Sequence, residues 1–318
     1  MSDLFEEKQI SPMLIGVDSE AFDDPDYIYE MKWDGERCIA YLDPKEGTTL
    51  INKRQVRMLP KLPELSEIHK QVRKRSILDG ELAMLKNGRP DFERIQRRSL
   101  MSNPFKIGLD AKQYPASFIA FDILYYDEKD LTTLPLMKRK DYLQKALKKE
   151  TERLAVSRYI EEKGITFYEL AKSQNLEGIV AKRKDSIYVQ GKRTKDWIKI
   201  KNMQDDDFVV CGYIFKENHM VSLVLGQYEN DKLMYEGHVT MGVRGVAFEK
   251  IKKEKSICNH PFDEPVPVGH GNENAVWLAP ELVCTVKFMY RTENGGLRHP
   301  AFKGLREDKK PKDCKTIK

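Results

Sequence analysis

A change of pattern at "NMQDDD" (202–207) constrains this 318-residue chain more than any other feature. Before it, stretches with the helical period alternate with strand-like runs. After it, short strand-like runs follow one another: "FVVCGYIF", "MVSLVLGQYEN", "KLMYEGHVTMGV" and "AVWLAPELVCTVKFMYR" (275–291), interrupted by a helical stretch at 244–256. Short strands at regular spacing fit a small barrel. The acidic segment therefore reads as a polar linker. A mixed helix-and-strand domain over 1–202 precedes it and a β-barrel domain over 203–318 follows. A chain of this length supports one large or two medium domains.

Within the first part, 27–33 and 37–42 read as strands around a glycine break, and 48–52 as a third. Residues 65–75 look helical. "SILDGELAML" (76–85) reads as a hairpin-like or bulged strand. "PDFERIQRRSLM" (90–101) looks like a helix after a Pro-Asp start. "ASFIAFDILYYD" (116–127) is a strong strand, rich in β-branched and aromatic residues. Residues 136–150 and 164–174 have helical period, and 177–183 and 196–202 read as short strands.

Composition narrows the class. The chain is 40% hydrophobic and 33% charged, which suits a globular protein and not a disordered one. Its 55 basic and 50 acidic residues leave a net charge of only +5, too small to imply nucleic-acid binding. Local runs matter more: "KQVRKR" (70–75), "MKRKDYLQKALKK" (137–149), "QGKRTK" (190–195), "KIKKEK" (250–255) and "KKPKDCKTIK" (309–318). Any one of them alone is a solvated helix face; several together leave room for a phosphate-backbone track. The five cysteines are dispersed, without a C-x-x-C pair, which argues against a disulfide framework and a structural zinc site. The acidic start lacks a long apolar run, and no stretch approaches a membrane span. The expectation is a cytoplasmic protein with no membrane partner.

Chemistry concentrates around "KWDGER" (32–37), where a glycine and four charged groups interrupt a strand pair. An exposed lysine titrates near ~10.4, so its amine is protonated at neutral pH. Freeing such an amine at pH 7 costs roughly 4–5 kcal/mol, supplied by neighbouring cations and partial desolvation. In "WIKIK", alternation puts Trp197, Lys199 and Lys201 on one face and Ile198 and Ile200 on the other. Two adjacent lysines make a phosphate clamp; the plainer alternative is an edge strand protected by lysines. "LDGEL" sets Asp79 and Glu81 on one face, although a lone D-G-E is commonly a tight turn. Glu177 precedes the strand that ends at Lys182. Carboxylates on separate strands can hold Mg²⁺ while it bridges substrate phosphates. In "FIAFDIL", Phe121 and Asp122 face opposite ways, and core packing is the default for the ring.

The order and spacing of these segments resemble the covalent nucleotidyltransferases, and among them the ATP-dependent DNA ligases. "KWDGER" matches the family's K-x-D-G-x-R. "LDGEL" (78–82), "FIAFDIL" (118–124), "EGIVAK" (177–182) and "WIKIK" (197–201) match the next four motifs in order, and "LRHPAFKGLREDK" (297–309) matches the closing one. The final stretch looks closest to the ligase module of bacterial non-homologous end-joining ligases. The resemblance implies an α+β fold: an adenylation domain of antiparallel sheets with flanking helices, then a β-barrel OB-fold domain.

It also implies roles. Lys32 would attack the α-phosphate of ATP and carry AMP as a lysyl adenylate; the AMP would pass to a 5′-phosphate of nicked or broken duplex DNA, and a 3′-hydroxyl would then seal the strand. Glu81 resembles the carboxylate that binds ribose or metal, and Glu177 the second metal-site carboxylate, for Mg²⁺ with Mn²⁺ as the alternative. Phe121 resembles the ring that stacks on adenine, which turns it towards the cleft. Lys199 and Lys201 resemble the α-phosphate contacts, and Arg37 the arginine near the ribose and the DNA end. Glu30 stands where the family often has an adenine-pocket residue, Asp34 fixes the loop or touches metal-bound water, and Gly35 gives the turn. "RQVR" (54–57) stands in place of an S-R-x-G segment, with Arg54 as the family's arginine and Arg57 as its rival. Arg298, Arg306, Asp308 and Lys309 resemble the groups that orient the pyrophosphate, which requires the domains to close about a hinge at 202–207. The implied protein is a monomer serving DNA repair or end joining, with a Ku-like end binder as candidate partner. An RNA ligase or an mRNA capping guanylyltransferase is the alternative within the superfamily; the R-x-D-K ending and "AFDIL" favour a DNA ligase. A catalytically silent DNA-binding module is the alternative outside it, and would form no covalent adenylate. An NAD-dependent ligase is set aside for want of a four-cysteine zinc site.

Overall fold

The computed structural model describes residues 4–86, 88–292 and 296–316. In chain order the first part runs α1 (Leu4–Glu7), β1 (Leu14–Asp18), β2 (Asp24–Met31), β3 (Glu36–Asp43), β4 (Gly47–Asn52), β5 (Ser76–Lys86), β6 (Arg89–Pro90), α2 (Phe92–Leu100), α3 (Pro104–Gln113), β7 (Ala116–Tyr126), β8 (Lys129–Asp130), α4 (Leu136–Ala146), β9 (Leu154–Val156), β10 (Tyr159–Glu162), α5 (Gly164–Ser173), β11 (Gly178–Arg183) and β12 (Arg193–Lys201). The second contains β13 (Gln204–Phe215), β14 (Val221–Glu229), β15 (Lys232–Val239), α6 (Gly245–Ile251), β16 (Val276–Phe288) and β17 (Ala301–Arg306). The chain divides into two compact units, Met1–Asn202 and Met203–Lys318.

Unit one holds two sheets. The first has the order β1-β12-β11-β2-β10, and the second is built on β4-β3-β5-β7-β8, with β6 and β9 attached. β7 is buried along nearly its whole length, which is why it reads as an apolar run and not as an alternation. One of its faces joins Leu42, Leu78 and Phe118 in a core. The other joins Ile39, Tyr41 and Phe121 to Trp197 of β12, so a second core fastens the two sheets together. α5 covers the far side of the first sheet over Ile179, Ala181 and Ile200. In α4 the buried positions are Leu136, Arg139, Lys140, Leu143 and Ala146, a helical stripe that carries two cations inward.

Several expectations change here. The helix expected at 65–75 is two 3₁₀ turns, Pro63–Leu65 and Ile68–Gln71, because Val72 leaves the helix to bridge Leu147. "SILDGELAML" is one bulged strand, not a hairpin. Gly80 is no turn residue: a Cβ there would sit 2.6 Å from the Ile119 oxygen and the Phe118 ring, so glycine permits a close strand crossing. α3 was not anticipated, although Asn103 caps it by accepting from the Lys106 N–H and Pro104 begins it. The helices expected at 136–150 and 244–256 end early, at Ala146 and Ile251.

The acidic segment is also no free linker. Asn202 donates to the Glu177 and Leu176 carbonyls, and Gln204 to Asp207 already pair with Phe288 to Thr285 as the start of β13. Asp206 and Asp207 are ion-paired to Arg291, Arg306 and Lys309, which lets an acidic run enter a sheet.

Unit two is an antiparallel sheet of order β15-β14-β13-β16-β17. A parallel bridge between Met241, just past β15, and Ala301 of β17 links the two edges. The closed side packs Phe208, Leu223, Leu225, Val286 and Phe288, as a small partly open barrel requires.

Candidate active site

The first unit carries a cleft on the face shared by its two sheets. Lys32 begins where β2 ends: its N–H donates to the Gly178 carbonyl at 2.9 Å, so the loop leaves the sheet still registered on β11. Gly35 then lets the loop lie against β5. A Cβ on it would meet the Leu82 carbonyl oxygen at 2.2 Å and the Glu81 Cγ at 2.9 Å. Trp33 Nε1 anchors the loop to Ser157 Oγ at 3.4 Å. In this setting the Lys32 ammonium pairs with Glu177 Oε1 at 2.6 Å.

Strand register explains which side chains share a face of the first sheet, and of these Glu30, Lys182 and Trp197 line the cleft itself. Val180 of β11 lies between Glu30 of β2 and Lys199 of β12, Gly178 is opposite Lys201, and Lys182 is opposite Trp197. Directly opposed residues share a face. Glu30, Lys182, Trp197, Lys199 and Lys201 are therefore collected on one side of the sheet, while Ile198 and Ile200 join the core under α5. Lys199 pairs with Asp18 at 2.8 Å, and desolvation together with Lys201 lowers its pKa.

Across the cleft, Arg37 and Glu81 are register partners on β3 and β5. Arg37 grips the fully buried Asp79 through Nε and Nη2, both at 2.6 Å, and Tyr188 Oη donates to the same carboxylate at 2.6 Å. The guanidinium carbon lies 4.4 Å from the Phe121 ring centre. Lys182 Nζ lies 4.3 Å from the centres of both Phe121 and Trp197. Phe121 lines the cleft; it is also part of the core, and two cations rest on its π-system.

Glu30 also lines the cleft, but its carboxylate is engaged. Lys140 holds Oε1 and Lys182 donates to Oε2 at 3.0 Å; Lys140 also donates to the Phe121 carbonyl at 2.6 Å. Lys140 and Tyr188 were missed as site residues, and the sequence showed Asp79 beside Glu81 but not its pairing with Arg37. For Lys140 a signal existed, since it sits four residues after Leu136 and three before Leu143, on the buried stripe of a helix otherwise read as a solvated basic face.

Electrostatics sets the cleft apart. Desolvation pushes the Glu81 carboxyl up to about 8 against the pull of Arg37 and Lys32, with Glu177 and Asp79 pushing the same way. Desolvation also raises Glu177, opposed by Lys32 and helped by Asp34. Lys182 is brought down to about 8 by desolvation and by Lys140, although Glu30 pulls it up. Several titrations displaced together mark a site built for charged substrates.

A divalent cation fits this donor set. Glu177 Oε2 is buried without a hydrogen-bond partner, and an oxygen left so is a ready ligand. Among the described residues no group of three or more His, Cys, Asp or Glu is spaced to hold a metal ion. Glu81 and Glu177 thus suit a hard ion that takes few protein ligands and completes its shell with water and phosphate oxygens.

Other expected site residues lie elsewhere. Arg54 and Arg57 are exposed on the turn after β4 and do not line the cleft. The Arg54 N–H donates to Asn52 Oδ1 at 2.9 Å. Arg298, Arg306, Asp308 and Lys309 belong to unit two.

Residues 13–201 match the family model described as "ATP dependent DNA ligase domain". This chain belongs to the ATP-dependent DNA ligases. Residues 216–309 match the ligase C-terminal region, so the matched segments end at Lys201 and Lys309, the last residues of two of the ligase motifs. The multifunctional non-homologous end joining protein LigD of Pseudomonas aeruginosa is 29% identical over 296 residues; these are 89% of this chain but only 34% of LigD. The SPbeta prophage-derived DNA ligase-like protein LigB of Bacillus subtilis is 27% identical over 299 residues, 93% of this chain and 99% of LigB. Among solved structures, mycobacterial DNA ligase D complexed with ATP and MES superposes with a TM-score of 0.55 at 25% identity, over 96% of this chain and 97% of that one. Its likeness supports the ligase architecture of an adenylation domain followed by an OB-fold. Among the described residues no helix is long and apolar enough to cross a membrane.

Proposed function

We propose that this chain uses ATP to seal 5′-phosphate/3′-hydroxyl breaks in duplex DNA, with Lys32 as the nucleophile that carries AMP. One observation supports this above the rest: the Lys32 amine rests 2.6 Å from a buried carboxylate, in a cleft lined by Glu81, Arg37, Phe121 and Lys182. To attack, the amine must lose a proton, and Glu177 Oε1 is beside it. A carboxylate raised by burial is a better base than an exposed one. The Nζ–phosphorus bond then forms as the bond to pyrophosphate breaks. Lys199 and Lys201 stand on the face that would receive the α-phosphate, and charge neutralisation is the main demand of phosphoryl transfer. Phe121 would take the adenine. Glu30, tied to two lysines, would act on the base through Lys182 more than through its own oxygens. Glu81 and Glu177 would hold Mg²⁺ or Mn²⁺, which when bound neutralises phosphate charge. From unit two, Arg298, Arg306 and Lys309 would serve the departing pyrophosphate. Arg54, with Arg57 as its rival, would be the family's arginine that binds the nucleotide, although both are exposed on the turn after β4.

The DNA product, repair or end joining as the task, a Ku-like partner, a monomeric state and a cytoplasmic location belong to the same proposal. The test is incubation of the full chain with labelled ATP, divalent metal and a nicked duplex, following label on protein and joined strand. Wild-type chain should gain one adenylyl group by mass spectrometry and Lys32→Ala none. Label from GTP instead of ATP would indicate a capping enzyme, and sealing of RNA alone an RNA ligase.

A further inference from the structure

Within unit two one carboxylate, Asp207, is shared by two of the basic groups of the C-terminal motif, Arg306 and Lys309. Asp207 of β13 is opposite Thr285 of β16 and is 8% exposed. Thr285 Oγ1 donates to its Oδ1 at 2.6 Å. Its other oxygen, Oδ2, receives Lys309 Nζ at 2.8 Å and Arg306 Nη1 at 3.3 Å. Arg306 reaches this point because β17 pairs it with Val283 of β16. The rest of its fork grips Asp308 through Nε at 2.8 Å and Nη2 at 2.7 Å.

Two cations converging on one oxygen have a fixed separation. Without the shared anion the two cations would repel, and Lys309 would regain rotamer freedom while Arg306 stayed tied to Asp308 alone. Yet neither is consumed: the Arg306 and Lys309 side chains stay 40% and 30% exposed, and a lysine ammonium offers three donors, of which Asp207 takes one. Thr285 and the sheet hold the carboxylate itself, so it is a rigid support. Such an arrangement presents two donors at set spacing to a ligand with several anionic oxygens.

We propose that Asp207 is a positioning residue that spaces Arg306 and Lys309 as a two-point receptor for pyrophosphate. This rests on the reading that the C-terminal motif serves self-adenylation. Asp207→Asn keeps the shape but turns a neutral amide towards two cations.

The experiment measures, in the full-length chain, the rate of AMP attachment and the rate of sealing a chemically pre-adenylated nick. Asp207→Asn should slow attachment at least tenfold more than sealing, and should raise the pyrophosphate concentration that strips AMP from the protein. Asp207→Glu should recover part of the loss, and Asp207→Asn in a Lys309→Ala background should add little. Equal loss in both assays, as from a misfolded unit, overturns the proposal, as does unchanged attachment. Arg306→Ala and Lys309→Ala run alongside. If these two leave attachment intact, the motif's role is wrong; if they slow it while Asp207→Asn does not, only the role of Asp207 is wrong.

Discussion

Arg37 binds Asp79 through two parallel hydrogen bonds of 2.6 Å, and the carboxylate so held is fully buried. The pair anchors the strand that leaves the Lys32 loop to the strand that carries Glu81. Removing one partner strands the other charge in a low dielectric. Arg37→Ala should therefore destabilise the chain by about 3–5 kcal/mol, whereas Arg37→Met with Asp79→Leu should recover much of that. Urea unfolding of the three proteins decides it; a loss near zero for Arg37→Ala would mean that the pair is not closed in solution.

Glu177 has one oxygen on Lys32 and one without a hydrogen-bond partner. Glu177→Gln preserves its volume but removes the base and the anionic metal ligand. AMP attachment should fall by about 100-fold or more, and the metal concentration giving half-maximal rate should rise. Chain labelled at the wild-type rate after this change would rule out both roles.

Glu81 sets a pH dependence. Its carboxyl is raised from 4.5 to about 8, chiefly by desolvation. Between these values the folded chain holds a proton that the unfolded chain has released. This contribution to stability is full below pH 4.5 and is lost as pH rises through about 8. Glu81→Gln should flatten that part of the melting-temperature profile. A cation must also displace the proton, so metal affinity should increase with pH up to about 8 and then level off. Calorimetric titration with Mg²⁺ from pH 6 to 9 tests this, and a flat profile would count against Glu81 as a ligand.

Phe121 connects the core to the cleft. Phe121→Leu keeps most of the buried volume but gives up the π-face, and stacking on a base is worth about 1–3 kcal/mol. KM for ATP should rise roughly 10- to 100-fold, with a smaller change in the maximal rate of AMP attachment. An unchanged KM would leave Phe121 as a core residue alone.

Much of the site could be read from spacing alone. Strand alternation placed Lys199 and Lys201 together, and Asp79 with Glu81, because side-chain direction in a strand depends only on parity. Gly35 was legible as a turn, but not its closeness to Leu82 and Glu81, which depends on a strand far away in sequence. The acidic run at 205–207 was misread because local polarity does not reveal that Arg291, Arg306 and Lys309, some hundred residues on, would neutralise it. Lys140 was hidden in a basic run, since charge suggests solvent and it takes distant partners, Glu30 and the Phe121 carbonyl, to explain an ammonium turned inward.

The sequence by itself determined which residue types are at hand: a lysine beside a glycine turn, carboxylates and lysines at strand spacing, and the order in which the chain delivers them. Those choices are local, fixed by residue type and period. The tertiary structure decided how the charges are shared: that Arg37 goes to Asp79, that two lysines hold Glu30, that Glu177 keeps one oxygen in reserve. Such pairings depend on which strands lie side by side. Coulomb energy and desolvation act through space, and space is set only once the sheets have packed.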